Sequence, residues 1–181
     1  SEVDKPKPLN NYAKSKLESE KIIKKNLKKY LIIRANFFGW APSYRKSFSD
    51  WIISSNKSKK KINVFDDVIF TPLYILDFIK ISSILIRKEI YGTYNVCSSN
   101  KISKFNFAKL TSKVFKLNLD YIIKSSISSS LLTVRPLDMS LSFSKIYKKL
   151  KLNKFNYSIQ NQIKNLKLDQ NMKFIKKIRE M

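Results

Sequence analysis

The chain has 181 residues, 43% of them hydrophobic, which is enough for one domain with a hydrophobic core. It carries a formal net charge of +24, contains no histidine and has one cysteine, Cys97. This composition excludes an internal disulfide, the usual zinc sites and any histidine-based catalytic triad, so we expect no metal. No apolar run approaches about 18 residues, so we predict no membrane-spanning helix.

The positive charge can be interpreted in two ways. A nucleic-acid-binding surface is one, but most of the basic residues are lysines spread over nearly every segment. Arginine, with its bidentate guanidinium, is usually favoured on such surfaces. Codon bias in an A/T-rich genome explains the abundance of lysine, isoleucine and asparagine more simply. We therefore expect no nucleic-acid partner, and the single cysteine without a leader sequence favours the cytoplasm.

The first predicted helix covers residues 12–27, with Asn10 or Asn11 as its N-cap. Leu17, Ile22 and Ile23 give it an apolar side. The preceding segment SEVDKPKPLNN has the composition of a loop. A chain that begins within a loop suggests a fragment of a longer protein.

Strands and helices alternate along the rest of the chain, which indicates an α/β fold. The predicted strands are 30–38, 60–67, 92–99 and 121–127, and residues 135–142 are expected to be extended. The predicted helices are 43–56, 78–87, 104–115, 145–150 and one charged helix from Gln160 onward. We expect Asp77, Ser103 and Ser144 to begin the second, third and fourth of these helices. The inward residues of the first are Phe48, Trp51 and Ile52, and in the third Phe107, Leu110, Val114 and Phe115 fall at helical spacing.

Tyr12 and Lys16 are the residues best placed for chemistry. Four residues apart on a helix, their side chains project from one face, one turn apart. An ammonium there favours the phenolate form of a tyrosine, which can exchange a proton with a carbonyl or alcohol oxygen. The same spacing also arises by chance on the solvated face of a lysine-rich helix.

The run DKPKPLNNYAKSKLESE resembles the active-site helix of extended short-chain dehydrogenase/reductases, whose pattern is P-x-N-x-Y-x-x-S-K-x-x-x-E. The matching positions are Pro8, Asn10 or Asn11, Tyr12, Ser15, Lys16 and Glu20. Four further segments follow in the family's order: LIIRANFFG (31–39), FDDVIFTPLYILDF (65–78), GTYNVCSSNKISKFNFAK (92–109) and RPLDMSLSFSKI (135–146). The set is most similar to dTDP-4-dehydrorhamnose reductases and related sugar-nucleotide reductases.

The resemblance implies the C-terminal part of a Rossmann-like NAD(P)-binding fold plus a small α/β substrate-binding domain. Residues 1–40 would end the Rossmann-like domain with the catalytic helix and the following strand. Residues 41–156 would form mainly the substrate-binding region, with segments that return to the Rossmann-like sheet. Residues 157–181 would be a charged C-terminal helix.

The resemblance also implies a cofactor, NADPH or NADH, and a role for each matching residue. Tyr12 would protonate the C4 oxygen of the sugar, and Lys16 would hold the cofactor ribose. Ala35, Asn36 and Phe37 would border the nicotinamide and the sugar. Arg135 would bind the diphosphate of the nucleotide-sugar substrate, a role that suits a guanidinium. Other interpretations stay open: Phe37 and Phe38 as core residues, and Arg135 as the partner of a surface carboxylate.

The sequence departs from the family pattern in three places. Its only glycines are Gly39 and Gly92, so the glycine-rich phosphate turn is absent. The Ser or Thr that completes the family's catalytic set precedes the tyrosine and is not found. Ser142 stands where the family usually has Asp. We therefore expect an N-terminally truncated fragment, inactive and marginally stable alone, from a protein that forms a homodimer when complete.

The activity implied for the complete protein is reduction of the 4-keto group of dTDP-4-dehydrorhamnose in dTDP-rhamnose biosynthesis. One alternative is an NAD-dependent nucleotide-sugar epimerase or dehydratase, which shares the tyrosine, the lysine and the fold. Another is a non-catalytic homologue that binds a sugar nucleotide or regulates a partner.

Overall fold

The computed structural model describes residues 1–127 and 136–180. The helices are α1 (Asn11–Asn26), α2 (Phe48–Lys57), α3 (Ile75–Arg87), α4 (Lys104–Phe115), α5 (Ser144–Leu150), α6 (Ile159–Asp169) and α7 (Lys173–Glu180). The strands are β1 (Leu31–Arg34), β2 (Asn36–Phe38), β3 (Ile62–Phe65), β4 (Ile69–Phe70), β5 (Pro72–Tyr74), β6 (Gly92–Asn95), β7 (Ile102–Ser103), β8 (Ile122–Ser125) and β9 (Asp138–Met139). Within those two ranges, none of the helices is both long enough and apolar enough to traverse a lipid bilayer.

Most of the strands pair in parallel. β1 pairs with β6, β2 with β5 and β3 with β8, each in parallel. β4 lies between β7, which is antiparallel to it, and β9, which is parallel. Parallel pairs need crossover connections, and helices supply them here. The predicted α/β class is confirmed.

The predicted strand 30–38 is wrong as one strand, because the chain changes partner within it. β1 ends at Arg34 and pairs with β6, whereas β2 begins at Asn36 and pairs with β5. Ala35 lies between the two strands. Both sides of the break carry residues typical of strands, Ile32 and Ile33 before it and Phe37 and Phe38 after it. The change depends on residues far along the chain, so no local pattern could reveal it.

The larger hydrophobic core lies between α2, α4 and α6 and the short strands beside them. Phe107 of α4 is fully buried at its centre. Its ring centroid lies 5.0 Å from that of Phe38, 5.6 Å from Phe48 and 5.5 Å from Phe70. Aromatic side chains bury large apolar areas, so this cluster gives α2 and α4 fixed positions. The inward prediction for Phe48, Trp51 and Ile52 and the helical spacing around Phe107 are confirmed.

A second core lies on one face of the β1–β6 pair. Ile81 and Leu85 of α3 and Ile146 of α5 are fully buried there. They belong to one cluster with Tyr94, Val96, Leu31 and Ile33 of the strands and the loop that follows. Side chains alternate across a strand, so Arg34 faces the opposite side from Ile33. The helix α1 contacts that opposite side, as described below.

Helix caps explain where two of the helices begin. The Ser103 side chain accepts a hydrogen bond from the backbone N–H of Asn106 at 3.1 Å, which confirms the predicted cap of α4. In α2, the Ser47 hydroxyl accepts from the Asp50 N–H at 3.1 Å, and the Asp50 carboxylate accepts from the Ser47 N–H at 3.3 Å. This reciprocal pair satisfies two N–H groups at the helix end. The predicted start of this helix at residue 43 is therefore wrong, because the cap is Ser47.

The predicted role of Asp77 as the cap of α3 is also wrong. The helix begins at Ile75, and its N-cap residue, Tyr74, makes no side-chain cap bond. Asp77 lies in the first turn instead, and its buried Oδ2 has no hydrogen-bond partner in the part of the chain described. Burial raises the pKa of the Asp77 carboxyl, and nearby Asp169 raises it further against the opposing effect of Lys80.

The C-terminal segment forms two helices, so the single charged helix predicted from Gln160 onward is wrong. α6 ends at Asp169 and α7 begins at Lys173. Ile159, Ile163 and Leu166 of α6 are fully buried in the larger core. Their spacing of four and three residues gives one continuous apolar stripe. α6 is therefore part of the core, although its region of the sequence is rich in lysine.

Candidate active site

Tyr12 and Lys16 lie together at the N-terminal end of α1. Asn10 caps this helix by accepting a hydrogen bond from the Ala13 N–H at 2.9 Å. Tyr12 lies in the first turn, and its side chain is 72% exposed. The Lys16 Nζ lies 5.6 Å from the centroid of the Tyr12 ring. The structure thus brings together the two side chains that the four-residue spacing placed on one face.

The hydroxyl of Tyr12 is therefore accessible to a ligand, and the ammonium group of Lys16 lies over the ring. A cation within about 6 Å of an aromatic ring is attracted to its face. A tyrosine held in this way can pass a proton to the oxygen of a bound carbonyl compound.

A bidentate ion pair holds α1 against β1. Arg34 donates from Nε to Glu20 Oε1 at 2.7 Å and from Nη2 to Oε2 at 2.6 Å. Both side chains are about four-fifths buried, with 17% of Glu20 and 21% of Arg34 exposed. These hydrogen bonds hold the pKa of the Glu20 carboxyl below its usual value, against the opposing effect of burial. The pair fixes the position of α1 on β1.

The ion pair also locates Tyr12 relative to the strand. α1 and β1 are joined by a short loop, and Glu20 meets the last residue of β1, so the two run in opposite directions. Tyr12 precedes Glu20 by two helical turns, or about 12 Å along the axis. Phe37 follows Arg34 by three residues, or about 10 Å of extended chain. Tyr12 therefore lies beyond the C-terminal end of β1, the edge at which α/β sheets bind ligands.

The predicted site residues after β1 differ in exposure. Ala35 is half-buried, and the Asn36 amide donates to the backbone oxygen of Met139 at 3.0 Å. Phe37 is 62% exposed, and its ring centroid lies 5.6 Å from that of Phe78. Phe38 is a core residue, but Phe37 is not. The exposed ring of Phe37 is available to a ligand at the same edge as Tyr12.

Arg135, the residue predicted to bind the diphosphate, lies outside the described residues. The segment that follows it does approach the site, because Met139 accepts the hydrogen bond from Asn36. β9, which contains Met139, is held in the sheet by β4. Met139 of β9 therefore borders the edge that carries Asn36.

The sequence did not reveal a contact between the first loop and the end of β6. The Asn95 N–H donates to Glu2 Oε1 at 2.9 Å. The Asn95 side-chain amide is fully buried, and neither of its polar atoms has a partner among residues 1–127 and 136–180. Asn95 lies in the segment GTYNVCSSNKISKFNFAK (92–109), but nothing in the sequence singled out either Asn95 or Glu2. The contact holds the loop that leads to Tyr12 across the end of the sheet.

Comparison with known protein families gives a match over most of the chain. The family model described as "RmlD substrate binding domain" matches residues 1–168. A comparison with curated protein sequences gives no match.

Solved structures with the same fold include two described as dTDP-4-dehydrorhamnose reductases. The enzyme from Bacillus anthracis, solved in complex with NADP, is 24% identical with a TM-score of 0.82, over 93% of this chain and 58% of that one. The protein from Clostridium acetobutylicum is 20% identical with a TM-score of 0.79, over 94% of this chain and 59% of that one. A dTDP-glucose 4,6-dehydratase from B. anthracis, solved with NAD, is 13% identical with a TM-score of 0.71, over 95% of this chain and 57% of that one. The fold is therefore the Rossmann-like fold of these reductases, and the chain spans less than two thirds of their length.

Proposed function

Because the chain belongs to the RmlD substrate-binding-domain family, we propose that it is part of a sugar-nucleotide reductase that uses NADPH or NADH. The proposed reaction of the complete protein is reduction of the 4-keto group of dTDP-4-dehydrorhamnose in dTDP-rhamnose biosynthesis. The observation that carries the proposal is the Tyr12–Lys16 pair at the C-terminal end of β1. The fold shared with dTDP-4-dehydrorhamnose reductases supports it.

In the proposed mechanism, Tyr12 is the acid. Its hydroxyl donates a proton to the C4 oxygen of the sugar, and the ammonium of Lys16 favours the phenolate that remains. The exposed ring of Phe37 and the amide of Asn36 position the sugar at the same edge. Arg135 is proposed to bind the substrate diphosphate, since a guanidinium can bind phosphate oxygens bidentately.

The residues of this chain fit one half of the cofactor. A bound nicotinamide cofactor supplies the hydride that goes to the C4 carbon. The exposed ammonium of Lys16 suits hydrogen bonds to ribose hydroxyls. The pyrophosphate needs a glycine-rich turn, but Gly39 packs against Ile75 and Gly92 opens β6. We therefore propose that residues outside these 181 bind the pyrophosphate.

A consequence is that the 181-residue chain alone is inactive and marginally stable. Among the strands of the described residues, β1 pairs only with β6, so its other edge is open. α1 contains no buried residue, and Ile22 is 54% exposed. An open parallel edge beside an apolar helix face is typical of a sheet that continues. Cooperative melting with cofactor turnover by this chain alone would contradict the expectation.

The test is substitution of Tyr12 in the complete protein, assayed as NADPH oxidation with dTDP-4-dehydrorhamnose. Tyr12→Phe removes the proton donor and keeps the ring, so we expect kcat to fall about 100-fold to 10,000-fold. Tyr44→Phe is the matched control, because Tyr44 is 77% exposed and lies outside the site. An unchanged rate in Tyr12→Phe would point to the non-catalytic homologue instead.

The second candidate is a nucleotide-sugar epimerase or dehydratase. The similarity to the dTDP-glucose 4,6-dehydratase favours it, as does a TM-score of 0.68 with a UDP-glucuronic acid 4-epimerase from Bacillus cereus at 19% identity. Assays of the complete protein with dTDP-4-dehydrorhamnose and with UDP-sugars separate the two. Epimerisation of a UDP-sugar, without net oxidation of NADPH by the keto-sugar, would overturn the reductase proposal.

A further inference from the structure

A pocket of about 350 Å³ opens between the loop after β6 and the segment after β9. We call it the serine pocket, and its lining includes Thr71, Ser98, Ser140, Ser142, Lys101 and Lys154. No Asp or Glu is among the described residues that line it. Its volume falls within the range of pockets that bind small ligands, about 300–1,000 Å³.

Two lysine side chains give the serine pocket its charge. Lys154 has no carboxylate partner in residues 1–127 and 136–180, and its Nζ lies 5.0 Å from the centroid of the Tyr147 ring. Lys101 Nζ lies 3.8 Å from Asp138 Oδ2, with 65% and 54% of the two side chains exposed. An exposed pair at that distance contributes little energy, so it competes weakly with a bound anion.

Hydroxyl groups, together with Asn100, form the rest of the polar lining. Thr71 and Ser98, which both line the pocket, are almost fully buried. The Leu141 N–H donates to Thr71 Oγ1 at 3.0 Å, and Ser98 Oγ donates to the Asn100 carbonyl oxygen at 2.8 Å. These two hydrogen bonds hold opposite walls in place. Ser142, whose Oγ accepts from the Ser144 N–H at 3.4 Å, adds a hydroxyl that can donate to a ligand.

We propose that the serine pocket binds a phosphoryl group, carried by inorganic phosphate or by a nucleotide. The Ser142 hydroxyl and the ammonium groups of Lys101 and Lys154 complement an oxyanion, and charge-assisted hydrogen bonds of this kind are the strong ones. The net charge of +24 raises the local concentration of anions. The inference stands apart from the reductase activity, because its test measures binding of phosphate and needs no turnover.

The first experiment is calorimetric titration of the complete protein with inorganic phosphate, at an ionic strength kept constant with chloride. Lys154→Met removes one charge-assisted hydrogen bond, so we expect phosphate to bind about tenfold more weakly. Lys148→Met is the matched control, since Lys148 is an exposed lysine of α5 outside the pocket lining. Equal weakening by both variants would mean that binding follows the overall charge and would overturn the proposal.

A second pair of variants tests the charge of the pocket at constant shape. Ser142→Asp introduces a carboxylate into the pocket and is expected to abolish phosphate binding. Ser142→Asn introduces a neutral side chain of similar size and is expected to weaken it less than about threefold. Indistinguishable phosphate affinities of the two variants would overturn the proposal. Circular dichroism of each variant checks that it is folded as the parent is.

The source of the phosphoryl group is found by competition. Thymidine diphosphate that displaces phosphate, with the same dependence on Lys154 and Ser142, assigns the pocket to the phosphoryl group of a nucleotide. Phosphate binding that persists at saturating thymidine diphosphate assigns it to the free anion. Failure of phosphate and thymidine diphosphate alike to bind with the expected dependence refutes the site, whatever the reductase assay gives.

Discussion

Arg34 and Glu20 bind each other through two hydrogen bonds, at 2.7 Å and 2.6 Å, on a partly buried face. Most of the ionic contacts elsewhere in the described chain are exposed, such as Lys21 with Glu18 at 61–63% exposure. Surface pairs contribute about 0–1 kcal/mol, whereas hydrogen bonds between charged groups shielded from water contribute about 1.5–3 kcal/mol. The Arg34–Glu20 pair therefore stabilises the position of α1 more than the exposed ion pairs on its surface do.

The contribution of Glu20 is expected to depend on pH. Its folded-state pKa lies below the usual 4.5, so its stabilising effect is complete above pH 4.5 and is lost as the pH falls through the lowered pKa. Glu20→Gln should lower the free energy of unfolding at pH 7 by about 1–2 kcal/mol. Urea unfolding at pH 7, 5 and 3 measures it, and the difference from the parent should shrink at pH 3.

Glu18→Gln is the matched control for that series, because it removes an exposed carboxylate from the same helix. We expect it to change the free energy of unfolding by less than about 0.5 kcal/mol at every pH. A loss as large as that of Glu20→Gln would mean that net charge, not the pair with Arg34, stabilises α1.

Asp77 is expected to behave in the opposite way. Burial raises its folded-state pKa above the usual 3.8, so its ionisation lowers the stability of the fold as the pH rises through that range. Asp77→Asn should therefore raise the free energy of unfolding by about 1 kcal/mol at pH 7 and change it little below pH 3.8. The exposed Asp120→Asn is the control. A destabilised Asp77→Asn at neutral pH would show that the carboxylate has a partner it needs.

At the scale of the elements, β2 and α3 meet at Gly39 without room for a side chain. A Cβ added there would lie 2.5 Å from Cγ2 of Ile75, the first residue of α3. The Gly39 carbonyl oxygen accepts hydrogen bonds from Ser47 at 2.6 Å and Ser49 at 2.9 Å, so the backbone cannot move away without loss. The end of the strand, the start of α2 and the start of α3 are thus packed around one glycine.

Gly39→Ala should lower the free energy of unfolding by about 1–3 kcal/mol, because a stiff β-branched side chain must give way. Chemical denaturation of the single variants and of the double variant with Ile75→Ala measures this as a cycle. We expect the cost of Gly39→Ala to fall by half or more when Ile75 is already truncated. An equal cost in both backgrounds would place the strain in the backbone and not at Ile75.

The elements that depend on local chemistry were predictable from the sequence. Asn10 and Ser103 are both used as caps, and the apolar spacing of α4 corresponds to buried residues. The break at Ala35 was not predictable, because it depends on which distant strands pair with β1 and β2. The start of α3 was mistaken because aspartate is a common cap, whereas burial here puts Asp77 inside the first turn.

The same difference between local and long-range contacts applies to the candidate site. Tyr12 and Lys16 are four residues apart on one helix, so their spacing alone placed them together. Glu2 and Asn95 are separated by 93 residues, and their hydrogen bond exists only because the loop crosses the end of β6. A contact between residues so far apart in the sequence does not appear in the periodic pattern of apolar and polar residues. The sequence therefore placed Tyr12 and Lys16 side by side, but it did not reveal the contact that holds the loop leading to them.

At the scale of the whole molecule, charge is the dominant feature. The 37 basic residues outnumber the 13 acidic ones, so most ammonium groups cannot have a carboxylate partner. A net charge of +24 acts against the compact state through self-repulsion. Added salt screens this repulsion, since the Debye length falls from about 30 Å at 0.01 M to about 3 Å at 1 M.

We expect the melting temperature of the chain to rise by several degrees when sodium chloride increases from about 0.01 M to about 0.5 M. Thermal unfolding followed by circular dichroism measures it, with Glu20→Gln as a comparison. A melting temperature that falls with salt would mean that attractive ion pairs outweigh the repulsion.

The contact between Arg34 and Glu20 has a consequence for protein engineering. It joins the helix that carries Tyr12 and Lys16 to β1, and β1 is joined through β6 to α3 and α5. A chimera with its crossover point just before Ser1 would therefore receive Tyr12 and Lys16, the residues after β1 and the serine pocket as one block. Under the proposed function, such a block would be joined to different dinucleotide-binding halves in order to exchange the cofactor preference and keep the proposed sugar-binding residues.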